Sequence, residues 1–182
     1  MNYVKPFNFL KKLPDKLNNF YKKHSRSKFK VDNKSKTIKD FDPVTNIDRG
    51  FEKYIRLLIH KSFPKDSVIG EEFKNKYSLN DFQWCIDPID GTRAFIIGAP
   101  TWSNLVGLSF RDKSLIGLAN FPELNKFYIS DHNKSYVVKD KKKLILKSSK
   151  NNDLKTIKII GNFHGTLSYE KKKKIIKRFG WS

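Results

Sequence analysis

Sulfur is almost absent from this chain: its 182 residues include one cysteine, Cys85, and one methionine. A single thiol excludes an internal disulfide and a cysteine-bound zinc cluster, so no covalent staple is available. Cys85 therefore reads as a small buried hydrophobe. Long apolar runs are missing as well. None approaches the ~20 residues that span a bilayer, and the start, MNYVKPFNFLKKLPDKL, lacks the apolar core and small-residue cleavage site of a secretory signal. The expectation is a cytoplasmic protein with no membrane partner. Histidines are few, and His24, His60, His132 and His164 show no ligand spacing.

Acidic residues are scarce too, 18 against 38 Lys and Arg, which leaves a formal charge of +20. Such an excess points first to nucleic acid or an anionic surface. Its distribution argues otherwise. Residues 31–100 hold 11 basic and 11 acidic side chains, whereas residues 1–30 carry +8 and residues 101–182 carry +12. Lysines are interspersed with Asn and Ile along the whole chain as a compositional bias, without the stacking aromatics of a nucleic-acid surface. Nucleic acid is thus not the expected partner, and the acids gather in one neutral segment.

What is present is enough for a core. Hydrophobic residues make up 38% and aromatic residues 14%, with 15 Phe, and a chain of this length buries roughly 70% of its unfolded surface as one domain. Phe7, Leu10, Leu13, Leu17 and Phe20 fall at helical spacing over residues 7–24, with Pro14 expected to divide or kink the segment. Residues 30–43, KVDNKSKTIKDFDP, read as a mobile loop. Over 45–63, Ile47, Phe51, Ile55, Leu58 and Ile59 share a face, Thr45 and Asp48 have capping-box spacing, and Pro64 supplies the stop. Strand lengths follow: SVIGEEF, FQWCID with Phe82, Trp84 and Ile86 on one side, SNLVGLSF, SLIGLANF, KFYIS, SYVV and LILKSS, separated by turn-like RDK, PELN, DHNK and KDKKK. A further strand is expected in LKTIKIIGN and a last helix in SYEKKKKIIKRF.

Acids recur at element ends: Asp48 in the first turn of the strong helix, Glu71-Glu72 after SVIG, and Asp87 and Asp90 around Pro88-Ile89. Two carboxylates three residues apart in an extended turn can share a hard cation, and magnesium takes one or two carboxylates plus waters and phosphate oxygens. Gly91-Thr92 then offers backbone N–H groups at a helix start, where an anion is favoured. Each residue also has an ordinary structural reading. Asp48 and Thr92 can be helix caps, Glu72 a solvated acid, Asp87-Pro88 a turn, and Arg93 a salt-bridge partner.

In order, DPVTNIDRGFE, FPKDSVIGEEF and WCIDPIDGTRAFIIGAPTW resemble the inositol monophosphatase superfamily, with its Gly-Glu-Glu followed by Asp-Pro-Ile-Asp-Gly-Thr. Arg93-Ala94-Phe95, Gly98 and Pro100-Thr101-Trp102 look most like the histidinol-phosphatase branch. The resemblance implies a layered αβαβα sandwich of α and β elements, here its N-terminal portion of helices then antiparallel sheet, in a single domain over residues 1–182. It implies Mg2+ held by Glu71, Asp87, Asp90 and the Ile89 carbonyl. Catalytic roles go to Thr92, Asp48 and Glu71, the Thr92 hydroxyl and Asp48 positioning the attacking water. Substrate would be held by Asp90, Gly91, Thr92 and Arg93, with Glu72 in support. The implied reaction is hydrolysis of a small phosphate monoester, histidinol phosphate first, an inositol or other sugar phosphate as the alternative, and an inactive basic nucleic-acid-binding or regulatory fragment as the contrasting class. Relatives continue through a second α/β half that supplies another metal-binding aspartate. A fragment, a split protein or a degenerate copy is therefore expected, with a homodimer or a complementing C-terminal half as protein partner.

Overall fold

A computed structural model describes residues 3–24, 29–35, 43–131, 133–150, 153 and 156. Its first amphipathic segment is one helix, α1 (Val4–His24), that runs through Pro14 without interruption. A proline inside a helix costs about 3 kcal/mol or more. Leu10, Leu13 and Leu17 on the same face are fully buried, and burying each leucine returns about 1.5–3 kcal/mol, so packing outweighs the lost hydrogen bond.

Part of the expected 30–43 loop is a strand. Val31–Asn33 (β1) pairs antiparallel with Pro43–Thr45 (β2), Val31 opposite Thr45 and Asn33 opposite Pro43. All three β1 residues are exposed, so no apolar alternation could announce the strand; backbone pairing with the buried β2 makes it. The strong helix is α2 (Asn46–Ser62), whose N-cap Thr45 and N3 residue Asp48 form the reciprocal capping box expected from their spacing. Ile47, Phe51, Ile55 and Ile59 form its buried stripe.

A seven-stranded sheet follows, ordered as in the chain: β3 (Ser67–Ile69), β4 (Phe82–Asp90), β5 (Ser103–Phe110), β6 (Lys113–Phe121), β7 (Lys126–Ser130), β8 (Ser135–Lys139) and β9 (Lys142–Leu146). β3 is parallel to β4 and every later pairing is antiparallel. The short helix α3 (Thr92–Ile96) lies between β4 and β5. Two hairpins turn on two residues with positive φ, Arg111-Asp112 and Asp140-Lys141, the backbone that matches the twist of the flanking strands.

Leu10, Leu13 and Leu17 of α1 and the α2 stripe share one core with Trp84, Ile86, Val106, Leu108, Ile116, Leu118 and Ile129 of the sheet, and Trp102 joins it. Strand side chains alternate between faces. Cys85, between Trp84 and Ile86, therefore points to the other side and is exposed; the expectation of a buried thiol is corrected by strand parity. No helix among the described residues is long and apolar enough to cross a membrane. Compact packing divides the chain into Met1–Leu146 and Lys147–Ser182. Every element named above lies in the first; in the second, the Thr156 N–H closes a turn on the Asp153 carbonyl at 3.2 Å. Apart from Thr156, the strand expected over 154–162 falls outside the described residues, as do the helix expected over 168–179, His132 and His164.

Candidate active site

The Asp87–Asp90 stretch is held by a bulge. Asp87 pairs with Leu105 but Asp90 pairs with Ser103, so Pro88 and Ile89 together oppose Asn104. Such an extra residue bends a strand and re-aims its side chains. It also lets a proline sit in a central strand, where a missing N–H would otherwise break the ladder. The fully buried Asn104 donates its Nδ2 to the Pro88 carbonyl at 2.6 Å. Behind it, Asn120 Nδ2 donates to both Asn104 Oδ1 and Asn18 Oδ1 at 3.0 Å. The bulge carbonyl is thereby tied through β5 and β6 to α1.

Asp87 is left short of partners by this geometry. Its buried Oδ1 has no hydrogen bond. Burial foremost, then the negative charges of Glu71 and Asp90, push its carboxyl up to about 7. Asp90 is exposed and accepts a hydrogen bond from the Ser103 hydroxyl at 3.3 Å. The Thr92 hydroxyl lies 3.3 Å from Asp48 Oδ1 and 3.1 Å from the Ile89 carbonyl. Asp48 thus both caps α2 and faces the Thr92 hydroxyl. Its Oδ2 accepts the Thr45 N–H at 2.8 Å and the Thr45 hydroxyl, while Oδ1 faces Thr92. Only 2% exposed, its carboxyl is raised by burial, against the opposing pull of those Thr45 bonds.

Glu71 and Glu72 follow β3. Lys34, just past β1, sets its ammonium 2.6 Å from an oxygen of each. Burial raises the Glu72 carboxyl, with Lys34 opposing. Beneath them lies a residue that sequence reasoning missed. Glu52 of α2 is fully buried, its oxygens taken by backbone N–H groups of Glu71, Glu72 and Phe73 and by Arg56. A signal existed, because Glu52 falls among Phe51, Ile55 and Ile59 in the apolar stripe where a charge is out of place.

A cleft of about 300 Å³ gathers the expected ligands Glu71, Asp87, Ile89 and Asp90 with Gly91, Thr92 and Arg93, bordered by Pro43. Gly91 caps α3 at φ 86, a left-handed backbone that glycine adopts without strain. The expected site residues Glu71, Asp87, Ile89, Asp90, Gly91, Thr92 and Arg93 thus share one cleft, with Asp48 behind Thr92. Glu72 is turned to Lys34. Among the described residues no three His, Cys, Asp or Glu side chains converge as a ready-made metal cluster; the Lys34 ammonium holds Glu71. His24 stacks on Phe20, and His60 is exposed.

The donor set suits a hard divalent cation. Asp87 Oδ1 is a buried acceptor with nothing donating to it; the Ile89 N–H serves the carboxyl group, and its charged neighbours are the further carboxylates Glu71 and Asp90. Magnesium needs only one or two carboxylates from the protein, water and phosphate completing its octahedron, so a three-ligand cluster is not required.

The sequence profile of the inositol monophosphatase family matches residues 7–178. A histidinol-phosphatase of Chlorobaculum parvum is 43% identical over 90 residues, 50% of this chain and 35% of that protein. An IMPase of Thermotoga maritima superposes with a TM-score of 0.62 at 27% identity, covering 82% of this chain and 54% of that one. An IMPase/NADP phosphatase solved with Mg2+ and phosphate superposes with a TM-score of 0.63 over 71% of this chain and 49% of that one; at 17% identity the likeness is one of fold. The chain spans a third to about half the length of the proteins it matches.

Proposed function

Since this chain belongs to the inositol monophosphatase family, we propose that its cleft hydrolyses a small phosphate monoester with Mg2+, and that histidinol phosphate is the preferred substrate. The observation carrying the reading is Asp87 Oδ1, a buried acceptor left without a donor among like charges and beside Thr92. Glu71, Asp87, Asp90 and the Ile89 carbonyl would hold the ion. When bound, magnesium supplies a lowered pKa for water and neutralisation of the leaving alkoxide.

The chain's own groups do the rest. Thr92 donates its proton toward Asp48, which leaves a hydroxyl lone pair to accept a hydrogen bond from the attacking water and aim it at phosphorus. Asp48, anchored by Thr45, keeps that hydroxyl oriented. Backbone N–H groups at Gly91 and Thr92 would bind phosphate oxygens, and Arg93 at the cleft border would contact the substrate. The Chlorobaculum parvum match, 43% identical over half of this chain, supports histidinol phosphate; the Thermotoga maritima IMPase supports inositol monophosphate as the alternative.

Phosphate release from histidinol phosphate and from inositol monophosphate, with Mg2+ and with a chelator, tests both. Release that needs Mg2+ and is faster on histidinol phosphate is expected. Release that persists in chelator or in Asp90→Asn would defeat the reading. The charge of +20, with Lys139, Lys141, Lys142 and Lys143 on the β8–β9 hairpin, favours a second reading as a module binding an anionic polymer. Affinity for RNA or DNA falling steeply with salt would support it.

A further inference from the structure

Glu52 is an anion with no surface, in a place where an unpaired charge would be expensive. Its Oε2 accepts the N–H groups of Glu71 at 3.0 Å and Glu72 at 2.6 Å. Its Oε1 accepts that of Phe73 at 3.3 Å and Arg56 Nε at 2.7 Å. Three successive amides thus turn onto one carboxylate immediately after β3 ends at Ile69. The chain segment carrying Glu71 is shaped by α2 rather than by sheet pairing.

The approach is tight enough to dictate the residue at position 70. A Cβ on Gly70 would overlap Glu52 Oε1 and stand 2.8 Å from Arg56 Nη2. No positive φ requires glycine there; the close passage of the Glu52 carboxylate does. Glu52 does not line the cleft, so any effect it has there is indirect.

We infer that Glu52 is a positioning residue: clamped by Arg56, it fixes the backbone of residues 71–73 and through it the place of the Glu71 carboxylate opposite Asp87. Its consequence for the cleft rests on the phosphatase reading; its effect on the loop does not. Charged hydrogen bonds of this kind are stronger than neutral ones. A glutamine would keep the volume but replace one acceptor oxygen with an NH2 that faces donors. Outer-shell partners of ligands change metal affinity by about 10–100-fold.

The test uses the full chain as Glu52→Gln and Gly70→Ala, with Ile129→Ala in β7 as a control that lowers the melting temperature from elsewhere in the core. Amide hydrogen exchange at residues 71–73 should quicken at least about tenfold in both variants while β5 and β6 keep their protection. Mn2+ affinity, read by calorimetry, should fall at least about tenfold. The control should keep both. Unchanged exchange at 71–73 in a folded variant overturns the inference, as does unchanged Mn2+ affinity with a loosened loop. Should Glu52→Gln not fold, Gly70→Ala carries the same two readouts with the charge left in place. Failure of the unmodified chain to bind Mn2+ would sink the phosphatase reading, and the exchange arm would still decide the positioning role.

Discussion

Two carboxylates, Asp87 in the cleft and Glu52 behind the loop that carries Glu71, are treated in opposite ways. Glu52 is saturated: four N–H groups from three loop residues and Arg56 converge on it. Asp87 is starved, with one buried oxygen unbonded, and burial foremost, then two further acids, raise its carboxyl to about 7. Burying a charge costs several kcal/mol unless donors replace the lost water. The fold meets that cost at Glu52, where the carboxylate builds backbone, and leaves it unmet at Asp87, where a cation can meet it. An acid supplied with donors serves structure; an acid deprived of them keeps its lone pairs for a ligand.

The largest expected effect comes from equalising the two. Asp87→Asn removes the starved charge and should lower Mg2+-dependent phosphate release by at least about 100-fold, since metal catalysis supplies several kcal/mol of charge stabilisation. Release assays at saturating Mg2+, with circular dichroism to show the fold intact, check it. A variant retaining more than a tenth of the parent rate would mean that Asp87 is not a ligand and that the contrast between the two acids has no functional content.

Next is the support of the bulge. Asn104→Ala takes a donor from the Pro88 carbonyl and an acceptor from Asn120, both in a fully buried setting. Leaving such groups unpaired costs about 1–3 kcal/mol each. A lower urea midpoint with an unchanged slope is expected. An unchanged midpoint would show that the Asn18–Asn120–Asn104 chain is passive and that the Pro88–Ile89 bulge holds itself.

Much of this architecture was legible because it is local. Alternating strands separated by Asp, Asn and Lys turns, and the α2 stripe behind Thr45, depend on neighbours a few residues away, and the structure reproduces them. Cys85 was misjudged because alternation reveals that two faces exist and not which one is covered. β1 was missed because a three-residue exposed strand has no pattern. Pro14 misled because a proline's local cost is visible in sequence and the core that offsets it is not. In the site, Asp48, Glu71, Asp87, Asp90 and Thr92 were readable as motifs, but the devices that hold them are long-range. Glu52 stands out only as a charge in an apolar stripe, and the amides it finds lie about 20 residues away; Asn120 meets Asn18 across 102 residues.

A smaller effect separates the two duties of Asp48. Thr45→Ala removes the hydroxyl that accepts the Ile47 and Asp48 N–H groups at 3.1 and 3.3 Å and should cost about 0.5–2 kcal/mol, as N-cap losses do. Asp48 and Thr92 remain, so phosphate release per folded molecule should fall far less than in Asp87→Asn. Denaturant midpoints and specific activity measured together decide it. Loss of activity as deep as that of Asp87→Asn would place Thr45 within the catalytic machinery.

The smallest effect is a slope with pH. Asp87 has a folded pKa raised above its ordinary 3.8 to about 7, so the folded state binds the proton more tightly than the unfolded chain. The resulting stability is fully present below pH ~3.8 and is lost as pH rises through ~7. Asp48 and Glu72, also raised, act in the same direction. Asp87 is half-open to solvent, and water screens its neighbours, so the slope is shallow. Thermal unfolding in chelator at pH 5, 6, 7 and 8 should therefore show a melting temperature that declines with pH, and Asp87→Asn should flatten most of the decline. Added Mg2+ should reverse it, because proton and cation compete for the same oxygen and the ion wins as pH rises. A decline that survives both Asp87→Asn and Mg2+ would assign the slope to other acids and remove the distinction between a starved and a saturated carboxylate.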